Sequence, residues 1–315
     1  MSFSSEVKRE LLDISDLSDE GKKALLYGIL QGSSEIIISS IGYKLVIKTT
    51  LLNVLKVCIP LLKKYYDINI GMSYKDEVNL NKRRYYYIEI IDQAEKIIND
   101  FHLMPFVEYH KSDPLIATDE LKGCFLRGLF ISKGSINDPR KNCYHFEISS
   151  SKSDLIAFAA KLFKRKELDV KITTRRNQDV MYLKRSEDIS SALAYIGANS
   201  GVFYFEDQRI IRDVSNMANR MANCDIANEV RCAKACDEQL EAIRYIREND
   251  HFDSLSARLQ ATCILREQYP DSSLEELSMY SSNVFGKTLS KSGISHCIKA
   301  LMTYYMAITK ENTTS

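Results

Sequence analysis

The first 200 residues run through one order of elements twice, about 100 residues apart, and this duplication limits the possible folds more than any other feature. Each copy opens on an apolar segment that reaches a Gly-Ser pair, at 24–33 and at 124–135. A strand candidate follows, at 43–49 and at 144–150, the second alternating apolar and polar residues as a half-buried strand does. An amphipathic helix comes next. Leu51, Leu52, Leu55, Cys58 and Leu62 line its apolar side in the first copy, and Leu155, Ile156, Ala159, Leu162 and Phe163 in the second, with Ser153 and Asp154 as the N-cap region. Two more strands complete the sheet in each copy, at 67–74 and 85–91, then at 170–175 and 179–184. Loop 75–84 separates the first pair, and the turn Asn177-Gln178 the second. Helices at 94–101 and 188–196 close the copies. The order is α-β-β-α-β-β-α twice, an α+β arrangement of antiparallel strands with helices on one face. The two halves are expected to pair about a pseudo-twofold axis through their first helices, where Gly28 and Gly128 let two backbones approach.

Charge narrows the function classes. The chain carries 43 Lys and Arg against 42 Asp and Glu, a net of +1, so any nucleic-acid site has to be a local patch and not a basic tail. Residues 201–315 are net −3 and residues 1–200 net +4. Charges arrive too early in the N-terminus for a signal peptide, and no stretch of about 18 apolar residues suggests a membrane span. A cytoplasmic protein with no membrane association is expected. The eight cysteines include no Cys-x-x-Cys pair. Cys224, Cys232 and Cys236 lack a fourth zinc ligand nearby, so buried, reduced thiols are expected, with no metal and no cofactor.

Beyond residue 206 the pattern turns helical. Four asparagines, Asn216, Asn219, Asn223 and Asn228, crowd with Arg220 into thirteen residues of the segment 207–248. Asparagine is a poor helix former. Two readings stay open, a break capped near Asn223 or polar side chains held for a partner or phosphate. Leu255, Leu259, Cys263 and Ile264 then mark a helix that ends before Pro270. Ser273 and Glu276 form a capping box at the start of the next. After a loop with Asn283 and Gly286, Ser290 caps a last helix that turns Ile294, Ile298 and Leu301 inward. Helix, capped helix, turn and capped helix is helix-turn-helix organisation, in which the start of the last helix enters the major groove. Ser290, Lys291, Ser292, Ser295, His296 and Lys299 are the expected DNA-binding set. A plain three-helix bundle using this face for protein contact is the alternative. The divisions expected are 1–105 and 106–205 for the halves, 206–250 for a helical connector and 251–310 for the helix-turn-helix domain.

The doubled pattern resembles the LAGLIDADG homing-endonuclease fold, and the segment 126–135 carries the resemblance most closely. The resemblance implies a saddle-shaped sheet lying on a DNA groove. Lys82-Arg83-Arg84 and Arg175-Arg176 are then candidate phosphate contacts, read equally well as solvated surface charges. It also implies an acidic residue just before the final glycine of each motif, to hold divalent metals that activate water. Here Gln31 precedes Gly32 and Lys133 precedes Gly134, so no catalytic residues and no cleavage are expected.

Four segments together resemble the WhiA family over nearly the whole chain. They are the opening 2–11, Gly134-Ser135-Ile136-Asn137-Asp138-Pro139 with 144–147, the block 216–228, and Ser290-Lys291-Ser292-Gly293. That resemblance implies a non-enzymatic, sequence-specific regulator of sporulation, cell division or chromosome segregation, nucleoid-associated in the cytoplasm. Its implied partners are double-stranded DNA and a WhiB-type or division-machinery protein. The competing readings are a structural adaptor of division with weak DNA binding and an active endonuclease.

Overall fold

The structure, a computed structural model, describes residues 2–40, 42–77, 83–104, 113–141 and 143–313. Its contacts divide it into two units, Met1–Asp213 and Val214–Ser315. In the first unit, α1 (Phe3–Leu11) precedes the two copies. The first copy comprises α2 (Asp19–Ser33), β1 (Ser34–Ser39), β2 (Gly42–Thr49), α3 (Leu52–Tyr65), β3 (Gly71–Glu77), β4 (Arg83–Ile90) and α4 (Ala94–Asp100). The second comprises α5 (Asp119–Lys133), β5 (Gly134–Ile136), β6 (Phe146–Ser150), α6 (Ser153–Lys164), β7 (Lys171–Arg175), β8 (Gln178–Leu183) and α7 (Ser186–Tyr195). Each copy forms a four-stranded antiparallel sheet, ordered β1-β2-β4-β3 and β5-β6-β8-β7. The fold is therefore the doubled α+β arrangement read from the sequence.

The two copies meet along α2 and α5, and the glycines dictate how closely. A Cβ built on Gly28 would lie 2.0 Å from the carbonyl oxygen of Phe125, and one on Gly128 2.1 Å from that of Leu25. Only hydrogen fits at either site, and the two contacts are reciprocal about the pseudo-twofold axis. Both helices start on a hydroxyl cap: Ser18 Oγ accepts from the Gly21 N–H and Thr118 Oγ1 from that of Leu121. Around this pair one apolar core draws on both sheets, with Ile47, Ile88 and Ile90 from the first and Phe146, Ile148 and Met181 from the second. Arg127 is buried on α5. Its guanidinium donates to the carbonyl oxygens of Leu11 (2.8 Å) and Asp13, tying the end of α1 to the central helix.

Two details differ from the sequence reading. The N-cap of α6 is Lys152, whose N–H is received by Ser150 Oγ at 3.1 Å. The Ser153 hydroxyl instead bonds Asp179. Loop 75–84 is shorter than expected, because β3 runs on to Glu77 and β4 begins at Arg83.

A 50-residue helix, α8 (Asn199–Glu248), begins in the first unit and ends in the second. No break occurs near Asn223. No Gly or Pro lies between Val202 and Glu248, and each Asn costs a helix only about 0.7 kcal/mol against Ala. The second unit continues with α9 (Ala257–Gln268), α10 (Leu274–Tyr280), a single turn α11 (Ser282–Phe285) and α12 (Lys291–Thr313). Among the described residues no helix is long and apolar enough to cross a membrane.

Candidate nucleic-acid interface

The start of α12 is held by caps and core contacts on its inner side. Ser290 Oγ accepts the Gly293 N–H at 3.2 Å. Ile294 and Ile298 pack with Leu265 of α9 and Leu277 of α10. Leu301 joins Ile243, Ile246, Leu255 and Cys263. The Ser273 and Glu276 capping box is closed in both directions, at 2.7 and 3.3 Å. On the outer side Lys291, Ser292, His296 and Lys299 are exposed and Ser295 is half-buried. Ser292, His296 and Lys299 fall at i, i+4 and i+7, a single stripe. Besides the half-buried Ser295, the remaining two predicted residues are already engaged. Ser290 is the cap, and Lys291 Nζ is 3.0 Å from Glu275 Oε2.

Sequence reasoning missed Arg266. It is fully buried on α9 and donates to Gln239 Oε1 (2.9 Å) and to the carbonyl oxygen of Ser272 (2.6 Å). Burial lowers its pKa from the ordinary value. The signal was its register, two turns beyond Leu259 and one beyond Cys263 on the inward face.

On the first sheet, strand pairing sets the described cations on two faces. Leu45, Ile47, Ile88 and Ile90 point to the core, so Lys44, Lys48, Tyr85 and Tyr87 point outward. Lys48 Nζ sits 4.4 Å from the Tyr85 ring centre, and Lys44 pairs with Glu89 at 2.7 Å. Arg84 shares the pleat side of Ile88 and Ile90. It forms a two-point pair with the exposed Asp76 at 2.7 and 3.0 Å, which lowers the Asp76 pKa. Lys82 and the Arg83 side chain lie outside the described residues.

On the second sheet, Lys171 and Arg175 are on the outer face with Tyr182, and Arg175 approaches Glu147 at 4.0 Å. Arg176 is not on a strand. It and Asn177 form the two-residue turn between β7 and β8 with φ of 48° and 58°, the left-handed pair of a tight hairpin.

At the foot of α2 and α5 the copies can be matched by position. Each helix has 15 residues, and a shift of 100 carries Asp19 to Asp119, Gly28 to Gly128 and Ser33 to Lys133. The counterpart of Lys133 is thus Ser33, and that of Gln31 is Ile131. The Gly-Ser pair that anchors the sequence alignment falls two residues earlier in the first copy than in the second. Gln31 is buried, and its amide donates to the carbonyl oxygens of Phe101 (3.1 Å) and His102 (3.0 Å). Gly32 follows it inside α2, whereas Gly134 is the C-cap of α5. No carboxylate occupies the last turn of either helix. Among the described residues no group of three His, Cys, Asp or Glu side chains is placed to hold a metal.

A doubled LAGLIDADG-like body followed by a helix-turn-helix unit defines a composite class, and the family comparisons agree segment by segment. Residues 19–104 match the WhiA N-terminal LAGLIDADG-like domain, residues 122–215 the WhiA LAGLIDADG-like domain, and residues 218–305 the WhiA C-terminal HTH domain. The chain belongs to the WhiA family. It is 33% identical over 305 residues to the "Probable cell division protein WhiA" of Bacillus cereus (strain B4264), covering 96% of this chain and 95% of the relative. The like-named protein of Bacillus anthracis (strain CDC 684 / NRRL 3495) is 32% identical with the same coverage. The crystal structure of full-length DUF199/WhiA from Thermatoga maritima matches with a TM-score of 0.58 at 25% identity, over 98% of this chain and 99% of that one.

Proposed function

We propose that the chain is a non-enzymatic, sequence-specific DNA-binding protein that regulates cell-division or sporulation genes from the cytoplasm. The observation that carries this is the capped start of α12, which offers Ser292, His296 and Lys299 on one exposed stripe while its other side is locked into the core. Short polar side chains of that kind read base edges, and lysine contacts phosphate. The relatives are named as cell division proteins, which supports the choice of regulated process. Absence of an acidic residue in the last turn of α2 and α5 supports a body that binds without cutting. Lys171 and Arg175 on the second sheet, with Arg176 in its hairpin turn, fit a supporting phosphate contact.

The test is binding of the purified chain to a panel of promoter fragments at two salt concentrations, beside Lys291→Ala/Lys299→Ala. Selective binding that weakens with salt and falls about tenfold or more in the variant is expected. No selectivity, or an unchanged variant, rejects the reading. It would favour an adaptor whose partner is a WhiB-type or division-machinery protein. Mg²⁺-dependent cleavage of any fragment would overturn the non-enzymatic part.

A further inference from the structure

The foot of the paired helices holds a feature that the DNA-reading helix leaves unexplained. A cavity of about 390 Å³ opens there, lined from α1, the ends of α2, β2 and α5, and the turn before α6. Four lysines line it, Lys8, Lys48, Lys133 and Lys152, against a single carboxylate, Glu35. Most of the remaining lining is serine and threonine. None of Lys8, Lys133 and Lys152 forms an ion pair among the described residues. The Lys152 ammonium is oriented: it donates to the Gln31 backbone oxygen at 3.2 Å and to Gln31 Oε1 at 3.4 Å. Gln31 is itself fixed by its two bonds to Phe101 and His102, so the position of one ammonium is set by buried contacts.

Lysines on a protein surface spread apart, because like charges repel and water solvates each one better alone. Here several converge on one hollow. Burial and the neighbouring Lys133 push the Lys8 pKa down to about 8, and the same two causes lower Lys152. That arrangement is unfavourable while the cavity is empty of anions and becomes favourable when one is held. Ser34 and Ser132 give their hydroxyl protons to backbone oxygens of their own helices, so the ammonium groups, which are donors only, supply the complement of a phosphate group. The volume is in the range of small-ligand sites.

We infer that this cavity is a phosphate-binding site in which Lys8, Lys133 and Lys152 close on one phosphate group. The phosphate comes either from a free anion or from a nucleic-acid backbone, and the inference does not depend on the helix-turn-helix reading. The probes are inorganic phosphate and pyrophosphate, titrated into the full chain in calorimetry and in thermal unfolding against sodium chloride of equal ionic strength. Saturable binding is expected, with a rise in the unfolding midpoint that chloride does not reproduce. Lys133 is exposed, so Lys133→Glu keeps the fold and is expected to weaken pyrophosphate at least tenfold. Lys152→Met is a second, independent variant with the same expectation. Lys291→Ala/Lys299→Ala is expected to bind pyrophosphate as the parent does. Competition separates the sources. Displacement of pyrophosphate by a short duplex, measured in that double variant, identifies a backbone phosphate, and failure to displace identifies a free one. A non-saturating response, equal in Lys133→Glu and in the parent, overturns the inference.

Discussion

At the scale of single residues, Lys8 makes the clearest statement about cost. Its pKa falls from 10.5 in the open chain to about 8 in the fold, through burial and then through Lys133. The other charged groups on the same cavity are Lys48, Lys152 and Glu35. Below pH 8 both folded and unfolded chains carry the Lys8 charge, and the whole penalty is present. Between about pH 8 and 10.5 the unfolded chain holds more protons, so stability rises with pH, and above that window the difference is gone. The shift corresponds to at most about 3 kcal/mol. Lys8→Met is therefore expected to be more stable than the parent at pH 7, with the gap closing towards pH 10.5. Urea unfolding of both proteins across that range in phosphate-free buffer measures it, and a gap independent of pH would mean that charge is not its cause. Lys299 and Lys291 differ in the same local way. Glu275 already neutralises Lys291, whereas Lys299 is exposed with no such partner among the described residues. If α12 reads DNA, Lys299→Ala should cost about fivefold in affinity and Lys291→Ala less, by fluorescence anisotropy on one promoter fragment.

At the scale of elements, the α2 and α5 pair is where a single methyl group matters most. A Cβ at Gly28 or Gly128 would sit about 2 Å from a backbone oxygen of the facing helix, which no rotamer change relieves. Gly28→Ala should destabilise the first unit by about 3 kcal/mol or more. Gly71→Ala, with nothing within 4 Å of the new atom, should stay within about 0.5 kcal/mol. Thermal unfolding of the two variants checks the contrast. In the second unit, Ser273→Ala removes one side of a closed capping box and should cost about 1 kcal/mol. These elements were legible in the sequence because their signals are local: a glycine in an apolar helical run, a serine three residues before a glutamate. β1 and β5 drew no boundaries of their own. Ser34–Ser39 reads as a short apolar run, and Gly134–Ile136 is only three residues long, too short for alternation to show. The unbroken course of α8 was obscured by its asparagines, whose weak propensity is overridden when no Gly or Pro interrupts the chain.

At the scale of the whole molecule, charge is spread so evenly that the fold alone creates the candidate sites. Lys8 lies on α1, while Lys133 and Lys152 belong to the second copy, and they meet only when α1 packs against α5 and the turn before α6 folds back to the foot of that helix. No spacing rule announces such a meeting, which is why the sequence pointed to Lys133 as a lost catalytic position and not as part of a lysine cluster. The same division of labour predicts two separable effects on DNA. In the proposed reading, contacts from the α12 stripe carry sequence information, whereas Lys171, Arg175 and Arg176 on the second sheet and its hairpin carry only charge. Removing one cation from a phosphate lowers the salt slope of binding by about 0.9. Lys171→Ala/Arg175→Ala/Arg176→Ala is thus expected to flatten the plot of log affinity against log salt by about 2 to 3, while the ranking of promoter fragments stays as in the parent. His296→Ala/Lys299→Ala should reorder that ranking and change the slope by about 1 at most. Titrations of three fragments at four salt concentrations distinguish the two. A slope unchanged in the sheet variant would leave the LAGLIDADG-like body off the DNA, with its phosphate cavity as the feature still to be explained.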